Sequence, residues 1–273
     1  TWATPTDTNT VTTINNNANN RVITGSGTAN TLEGEANLTY DGTYFATKGS
    51  SSTTTANAGG SGLEIHNTNN TNNNQNFLGF FDSTGTSSAA IIAQHENHSS
   101  TTGNLQFGTR NAGTYAERMR ISKDGIVTKP YQPSFFVTIN GGDNTTNDGG
   151  VIPFANAKHN TGSHFDTSTY KFIAPVSGHY FFSTQIWAKN GTSNARFRFA
   201  VDDASNSYAT DYITQNGFHG NSVNKEDFGY NTSIVYYLDV GDRIYLAVDN
   251  TNLTYYTAGA SDPHTYFCGY LIG

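Results

Sequence analysis

The sequence predicts an all-β homotrimer in which an intertwined β-shaft, residues 1–129, leads into an antiparallel jelly-roll head, residues 130–273. No window carries a helix period. Asn, Thr, Ser and Gly supply most of the polar surface and charged residues only 13% of the chain, a composition that suits strands and turns. Of the 35 Phe, Trp and Tyr residues, 9 fall in Thr1 to Pro130 and 26 in Tyr131 to Gly273. The second half can therefore build its own aromatic core. The first half holds too little apolar area in one copy to offset an ordering entropy of roughly 1–2 kcal/mol per residue, so its strands need a core shared with other copies.

Strand-length apolar patterns in the first half lie at Gly62 to His66, Ala89 to Ala93, Asn104 to Phe107 and Arg118 to Ile121. Turn formers separate them at Asp82-Ser83-Thr84-Gly85, Arg110-Asn111-Ala112-Gly113 and Lys123-Asp124-Gly125. The tract from Asn67 to Asn76, NTNNTNNNQN, reads as a surface loop, and Thr1 to Asn20 as an extended linker or an irregular shaft strand. Thr1 is not an initiator and no basic start with an apolar core follows it, so the sequence reads as a fragment whose upstream attachment is missing.

From Pro133 onward aromatic alternation becomes dense. Strands are expected at Phe135 to Ile139, Val151 to Phe154, Tyr170 to Ile173, His179 to Trp187, Arg196 to Val201, Tyr208 to Thr214, Ser233 to Leu238, Arg243 to Val248 and Thr265 to Ile272. Such a series, joined by alternating short and long loops, folds as two packed antiparallel sheets. Pro175 to Gly178 and Asp239 to Asp242 are tight turns at one end. The longer connections, Lys189 to Asn194, Gln215 to Asn231 and Asp249 to His264, fall at the other. If the first and last head strands are antiparallel neighbours, the chain enters at the tight-turn end and the long loops form the tip.

A net charge of −7 removes the electrostatic footprint of nucleic-acid binding, and no apolar run approaches the ~18 residues of a membrane span. The one cysteine, Cys268, permits no intrachain disulfide and reads as a small buried residue of the last strand. The adjacent acidic pairs Asp202-Asp203 and Glu226-Asp227 are poor candidates for paired-carboxylate catalysis, because strand neighbours face opposite ways and loop neighbours solvate. An enzyme is not expected. His95 and His98 are spaced as metal ligands only on a helix or around a threefold axis, and read as a solvated loop. No cofactor is expected. The oxygen-rich surroundings of Asp143 and Asp148 are the one place suited to calcium, although their spacing is not that of an EF-hand.

The stretch GVIPFANAKHNTGSHFDTSTYKFIAPVSGHYFFSTQIW, Gly150 to Trp187, resembles the globular head of complement and tumour-necrosis-factor-like proteins. Gly162, Phe165, Asp166, Phe172, Ala174, Pro175, Gly178, Tyr180 and Phe182 hold that family's spaced positions, while Tyr170 stands where the family has Gly. YLDVGDRIYL, Tyr237 to Leu246, and FCGYLIG, Phe267 to Gly273, match two further stretches. The resemblance implies a ten-strand jelly roll that trimerises around an aromatic axis. The first half resembles tail and appendage fibres of marine bacteriophages, through NNRVITGSGTANTLEGEANLTYDG (Asn19 to Gly42) and AERMRISKDGIVT (Ala116 to Thr128).

Together these resemblances imply a structural and adhesive fibre tip on the virion surface, an extracellular appendage. Its partners would be two further copies, an upstream fibre or virion attachment protein, and a host cell-surface receptor, a glycan. Phe218, His219, Tyr230, Tyr255, Tyr256 and His264, in or beside the long loops, are the candidate receptor contacts, since loop aromatics stack on sugar rings or anchor protein interfaces. The alternatives are a capsule-degrading tailspike and a head or neck fibre without a receptor.

Overall fold

The computed structural model describes residues 13–16, 18–28, 31–52, 62–139, 141, 144–188, 196–207, 209–214, 216–217, 228–249, 252–255 and 264–273. Among them every regular element is a strand, and no helix is long and apolar enough to cross a membrane. Compactness divides the chain into two units, Thr1–Leu78 with Ala93–Thr102, and Gly79–Ile92 with Gly103–Gly273.

In the first unit, β1 (Thr13–Asn15), β2 (Arg21–Gly25), β3 (Thr31–Tyr40) and β4 (Phe45–Thr47) form a small sheet built on β3. β1 lies parallel to β3, and β2 and β4 antiparallel to it. Gly34 lets the chain close up here, since a Cβ would meet the Asn16 carbonyl oxygen at 2.8 Å. Among the described residues of this unit no hydrophobic side chain is buried, and Tyr40, Phe45, Leu63 and Phe77 are each more than half exposed. The shortage of core expected from the sequence is visible in one copy. Gly62 to His66 carries no strand pairing, contrary to its pattern.

A meander follows: β5 (Asn74–Phe81), β6 (Ser87–Asn97), β7 (Thr102–Asn111), β8 (Thr114–Ile121) and β9 (Val127–Thr128), in that order in the sheet. The Asn67 to Asn76 tract ends in β5, so only its first part is loop. The expected turns sit between these strands. Asp82 accepts the backbone N–H groups of Thr84 and Thr86 at 2.8 and 3.0 Å. Ala112 and Gly113, with φ of +46° and +81°, close a two-residue hairpin between the paired Asn111 and Thr114.

The head is two packed sheets. The strands are β10 (Ser134–Thr138), β11 (Asn144–Thr146), β12 (Asn156–Thr161), β13 (Phe165–Asp166), β14 (Lys171–Ile173), β15 (Gly178–Ala188), β16 (Arg196–Asp203), β17 (Ala209–Tyr212), β18 (Asn216–Gly217), β19 (Phe228–Leu238), β20 (Arg243–Asp249), β21 (Leu253–Tyr255) and β22 (Tyr266–Leu271). The first sheet runs β11-β21-β15-β22-β10-β12, with β19 also on β15; the second runs β13-β14-β20-β16-β17, with β18 also on β16. Between them Phe135 stacks on Phe172 at 5.0 Å and meets Phe267 edge-on at 4.9 Å, the centre of a core that also takes in Phe154, Phe182 and Phe199.

One expectation is corrected here. Val151 to Phe154 makes a single bridge, Val151 to Ala247, rather than a strand. Pro153 cannot donate to a ladder, and Ile152 and Phe154 instead plug the core, both 0% exposed. The strand lies just after, at β12, whose polar sequence NAKHNT carries no apolar alternation because it pairs at the sheet edge against β10. The predicted ends hold. β10 and β22 are antiparallel neighbours. Gly178 pairs with Leu238 at the end of the tight turns, while Ala188 pairs with both Phe228 and Tyr255 at the other end.

Candidate functional site

The two sheets differ on their outer faces. On the second, Lys171 Nζ lies 2.5 Å from Asp202 Oδ2 and 4.1 Å over the Tyr245 ring. Thr210 and Tyr245 donate to the other oxygen of Asp202 at 2.8 and 3.0 Å. Burial pushes the Asp202 carboxyl upward, yet Lys171, Thr210 and Tyr245 outweigh it and hold the group below the usual carboxylate range. Burial pushes Tyr245 up to about 12. Arg198 lies 3.3 Å over the Tyr212 ring and 3.3 Å from Asp249. This face carries the chain's own ion pairs and ring contacts.

The first sheet is different. Strict alternation along β15 sends Tyr180, Phe182, Thr184 and Ile186 inward, and His179, Phe181, Ser183, Gln185 and Trp187 outward. Register extends those outward positions across the sheet. Ser134, Tyr270, Phe181 and Val235 form one cross-strand row, Phe136, Cys268, Ser183 and Ser233 the next, and Thr138, Tyr266, Gln185 and Asn231 a third. No outward position of β10, β22, β15 or β19 is Asp, Glu, Lys or Arg. Rings meet across the strands: Phe136 with Tyr266 at 5.2 Å, Phe181 with Tyr270 at 5.3 Å, and His179 with Tyr237 at 5.3 Å. Even so, Tyr237 and Tyr270 are each 49% exposed and Val235 57%. Cys268 is half-buried in the middle row, and burial raises its thiol pKa, partly countered by the Ser183 backbone N–H. A sheet with an apolar core face and an uncharged aromatic outer face is suited to being covered on both sides.

Two of the sequence-derived contact candidates are corrected. Tyr255 is 0% exposed; it lies in β21, its hydroxyl 2.7 Å from Thr146 Oγ1, and burial pushes its pKa up to about 12. It is a core residue, because β21 pairs with β11 and folds the start of its loop back onto the sandwich. Tyr230 lies within β19 and faces inward, edge-on to Phe197 at 5.5 Å. His264 does face outward, its ring 5.2 Å from Trp187. Phe218, His219 and Tyr256 lie outside the described residues.

Asp203 accepts the backbone N–H groups of Ser205 and Asn206, which turns the chain after β16. Glu226 and Asp227 lie outside the described residues, as does Asp143. The Asp148 backbone N–H donates to Asn252 Oδ1 at 3.3 Å. The His95 and His98 rings are 5.3 Å apart, and His98 Nε2 is 3.1 Å from Asn74 Oδ1. Among the described residues no group of three or more His, Cys, Asp or Glu is placed to hold a metal ion. The resemblance implied an aromatic axis without naming its residues. The signal lay in β15, where apolar side chains occupy both parities of one strand.

The two packed antiparallel sheets are those of a jelly-roll module. The model of the C1q domain matches residues 134–272, just over half of the chain, and the chain belongs to that family. Among solved structures, Eiger TNF from S. frugiperda is 10% identical with a TM-score of 0.45, covering 52% of this chain and 93% of that one. The globular domain of zebrafish complement 1qA protein is 16% identical with a TM-score of 0.40, over 52% and 98%. Murine APRIL is 12% identical with a TM-score of 0.40, over 52% and 99%. C1q and tumour-necrosis-factor-like domains are in general non-enzymatic binding or structural modules.

Proposed function

We propose that this chain is the distal part of a homotrimeric bacteriophage fibre, displayed on the virion surface and adhering to a host surface glycan through the long-loop end of its head. The observation that carries the assembly is the uncharged aromatic face of the first sheet, half-exposed in one copy. Charged side chains are what a permanently solvated sheet face carries; their absence from four adjacent strands fits a face closed over by its own kind. Two further copies are the occupant, because C1q-type domains typically assemble as homotrimers. The first unit supports the same reading from another side, since its apolar residues find no cover within one copy.

Adhesion follows from placement. The chain enters at the tight-turn end, so the connections that follow β15, β18 and β20 leave from the far end, where loops on a rigid scaffold carry recognition. Three heads on one stalk raise avidity without any single strong site. The phage origin rests on the likeness of Asn19 to Gly42 and Ala116 to Thr128 to fibre sequences. The test is binding of fluorescently labelled full chain to candidate bacterial host cells, with and without periodate oxidation of surface glycans. Binding abolished by periodate is the expected result; binding that survives it contradicts the glycan, and absence of binding from every host contradicts adhesion.

A further inference from the structure

Lys171, Arg120 and Arg198 each hold a carboxylate, at 2.5, 2.6 and 3.3 Å. Arg118 and Lys129 hold none among the described residues, and both line the same cavity of about 450 Å³, within the second compact unit at the tight-turn end of the head. No Asp or Glu lines it, in a chain whose net charge is −7. Its wall is apolar, built from Pro133, Pro175, Val176, Leu271 and Ile272. We propose that this cavity binds an alkyl carboxylate, a fatty-acid-type monoanion whose carboxylate meets Arg118 and Lys129 and whose tail lies along the apolar wall.

The cations are placed by their local structure. Arg118 lies in β8; its Nε donates to Thr109 Oγ1 at 3.0 Å, and its guanidinium carbon stands 4.3 Å over the Tyr131 ring. These contacts fix the guanidinium plane, while its two terminal nitrogens have no hydrogen-bond partner among the described residues. The Gln132 N–H donates to the Lys129 carbonyl at 3.1 Å, a turn that sets Lys129 on the same cavity as Arg118. The wall is held as firmly. The Leu271 N–H donates to the Pro133 carbonyl at 3.0 Å, the Ile272 N–H to the His179 carbonyl at 2.8 Å, and the Tyr180 hydroxyl to the Val176 carbonyl at 2.7 Å. Those backbone groups are spent within the head, and the wall turns side chains outward, Val176 being 47% and Ile272 49% exposed. His164 lines the cavity too. Burial lowers its pKa, so at neutral pH it offers a hydrogen bond without adding charge.

Size, charge and polarity select the ligand class. A volume of about 450 Å³ lies within the roughly 300–1,000 Å³ of small-molecule sites. Two cations with N–H groups to spare favour a carboxylate, held by charge-assisted hydrogen bonds. A sugar acid would need partners for its hydroxyls, which prolines and aliphatic side chains do not supply; an alkyl chain needs none.

The test is calorimetric titration of the full chain at pH 7.5 and low ionic strength with three probes. Sodium octanoate has both parts of the ligand, octanol the tail without the charge, and acetate the charge without the tail. Expected is saturable binding of octanoate at one site per chain, with octanol and acetate each at least about tenfold weaker. An Arg118→Gln/Lys129→Gln variant is expected to bind octanoate at least about tenfold more weakly with its urea midpoint unchanged. No saturable binding of octanoate, octanol or acetate binding as tightly, or undiminished binding by the variant overturns the proposal. The three probes on the wild-type chain decide even where the variant unfolds. No residue of another copy enters the site, so each of these failures leaves the assembly and adhesion readings standing.

Discussion

Ala112 holds a φ of +46° at the tip of the β7–β8 hairpin, a conformation in which an L side chain crowds the next carbonyl. It is exposed. Ala112→Asn is expected to stabilise the chain by about 0.5–1 kcal/mol, read from the urea midpoint, because Asn tolerates this region and suits the turn. Tyr170 shows how much of such geometry a sequence can carry. It stands where the resembled family has Gly, and its φ is +62°, so the backbone keeps the glycine conformation although the residue has changed. Tyr255 shows the reverse. Nothing local distinguishes a loop tyrosine that faces solvent from one whose hydroxyl meets Thr146 across 109 residues. Asp202 is of the same kind, an acidic residue whose role rests on Lys171, 31 positions earlier. Asp202→Ala leaves Lys171 partly buried and unpaired, and is expected to cost about 3 kcal/mol in equilibrium unfolding. The folded-state pKa of Asp202 is lowered, so its contribution is full above its unfolded value near ~3.8 and is lost as pH falls through the lower folded value. The acid-unfolding midpoint of the variant should therefore respond less steeply to pH in that window.

At the scale of the element, legibility followed apolar periodicity. β15, β16, β20 and β22 were readable because Phe, Tyr, Ile and Val recur at period two within them. β12 was not, being a polar edge strand, and Val151 to Phe154 misled because its apolar residues plug the core without pairing. The outward aromatic face was legible in principle, since a strand with rings at both parities cannot be half-solvated. β22 offers the sharpest test of the packing. A Cβ on Gly269 would lie 2.4 Å from the Phe182 ring and 2.9 Å from the Phe181 carbonyl oxygen. Gly269→Ala is expected to destabilise the head by about 1–3 kcal/mol, read from chemical unfolding, because the core ring must leave its place.

For the whole molecule, the account rests on surfaces that one copy leaves bare: the apolar side chains of the first unit and the uncharged face of the head. Tyr270→Asp places a charge on that face. In a chain that stays single it would be nearly silent, because the residue is 49% exposed. In an assembly it desolvates a carboxylate in each copy, and is expected to lower the thermal midpoint by several degrees and make it depend on protein concentration. The direct measurement is the mass of the full chain by size-exclusion chromatography with light scattering, at micromolar concentration and pH 7.5. The account predicts three times the 29.4 kDa of one chain. A mass of one chain under those conditions would contradict it.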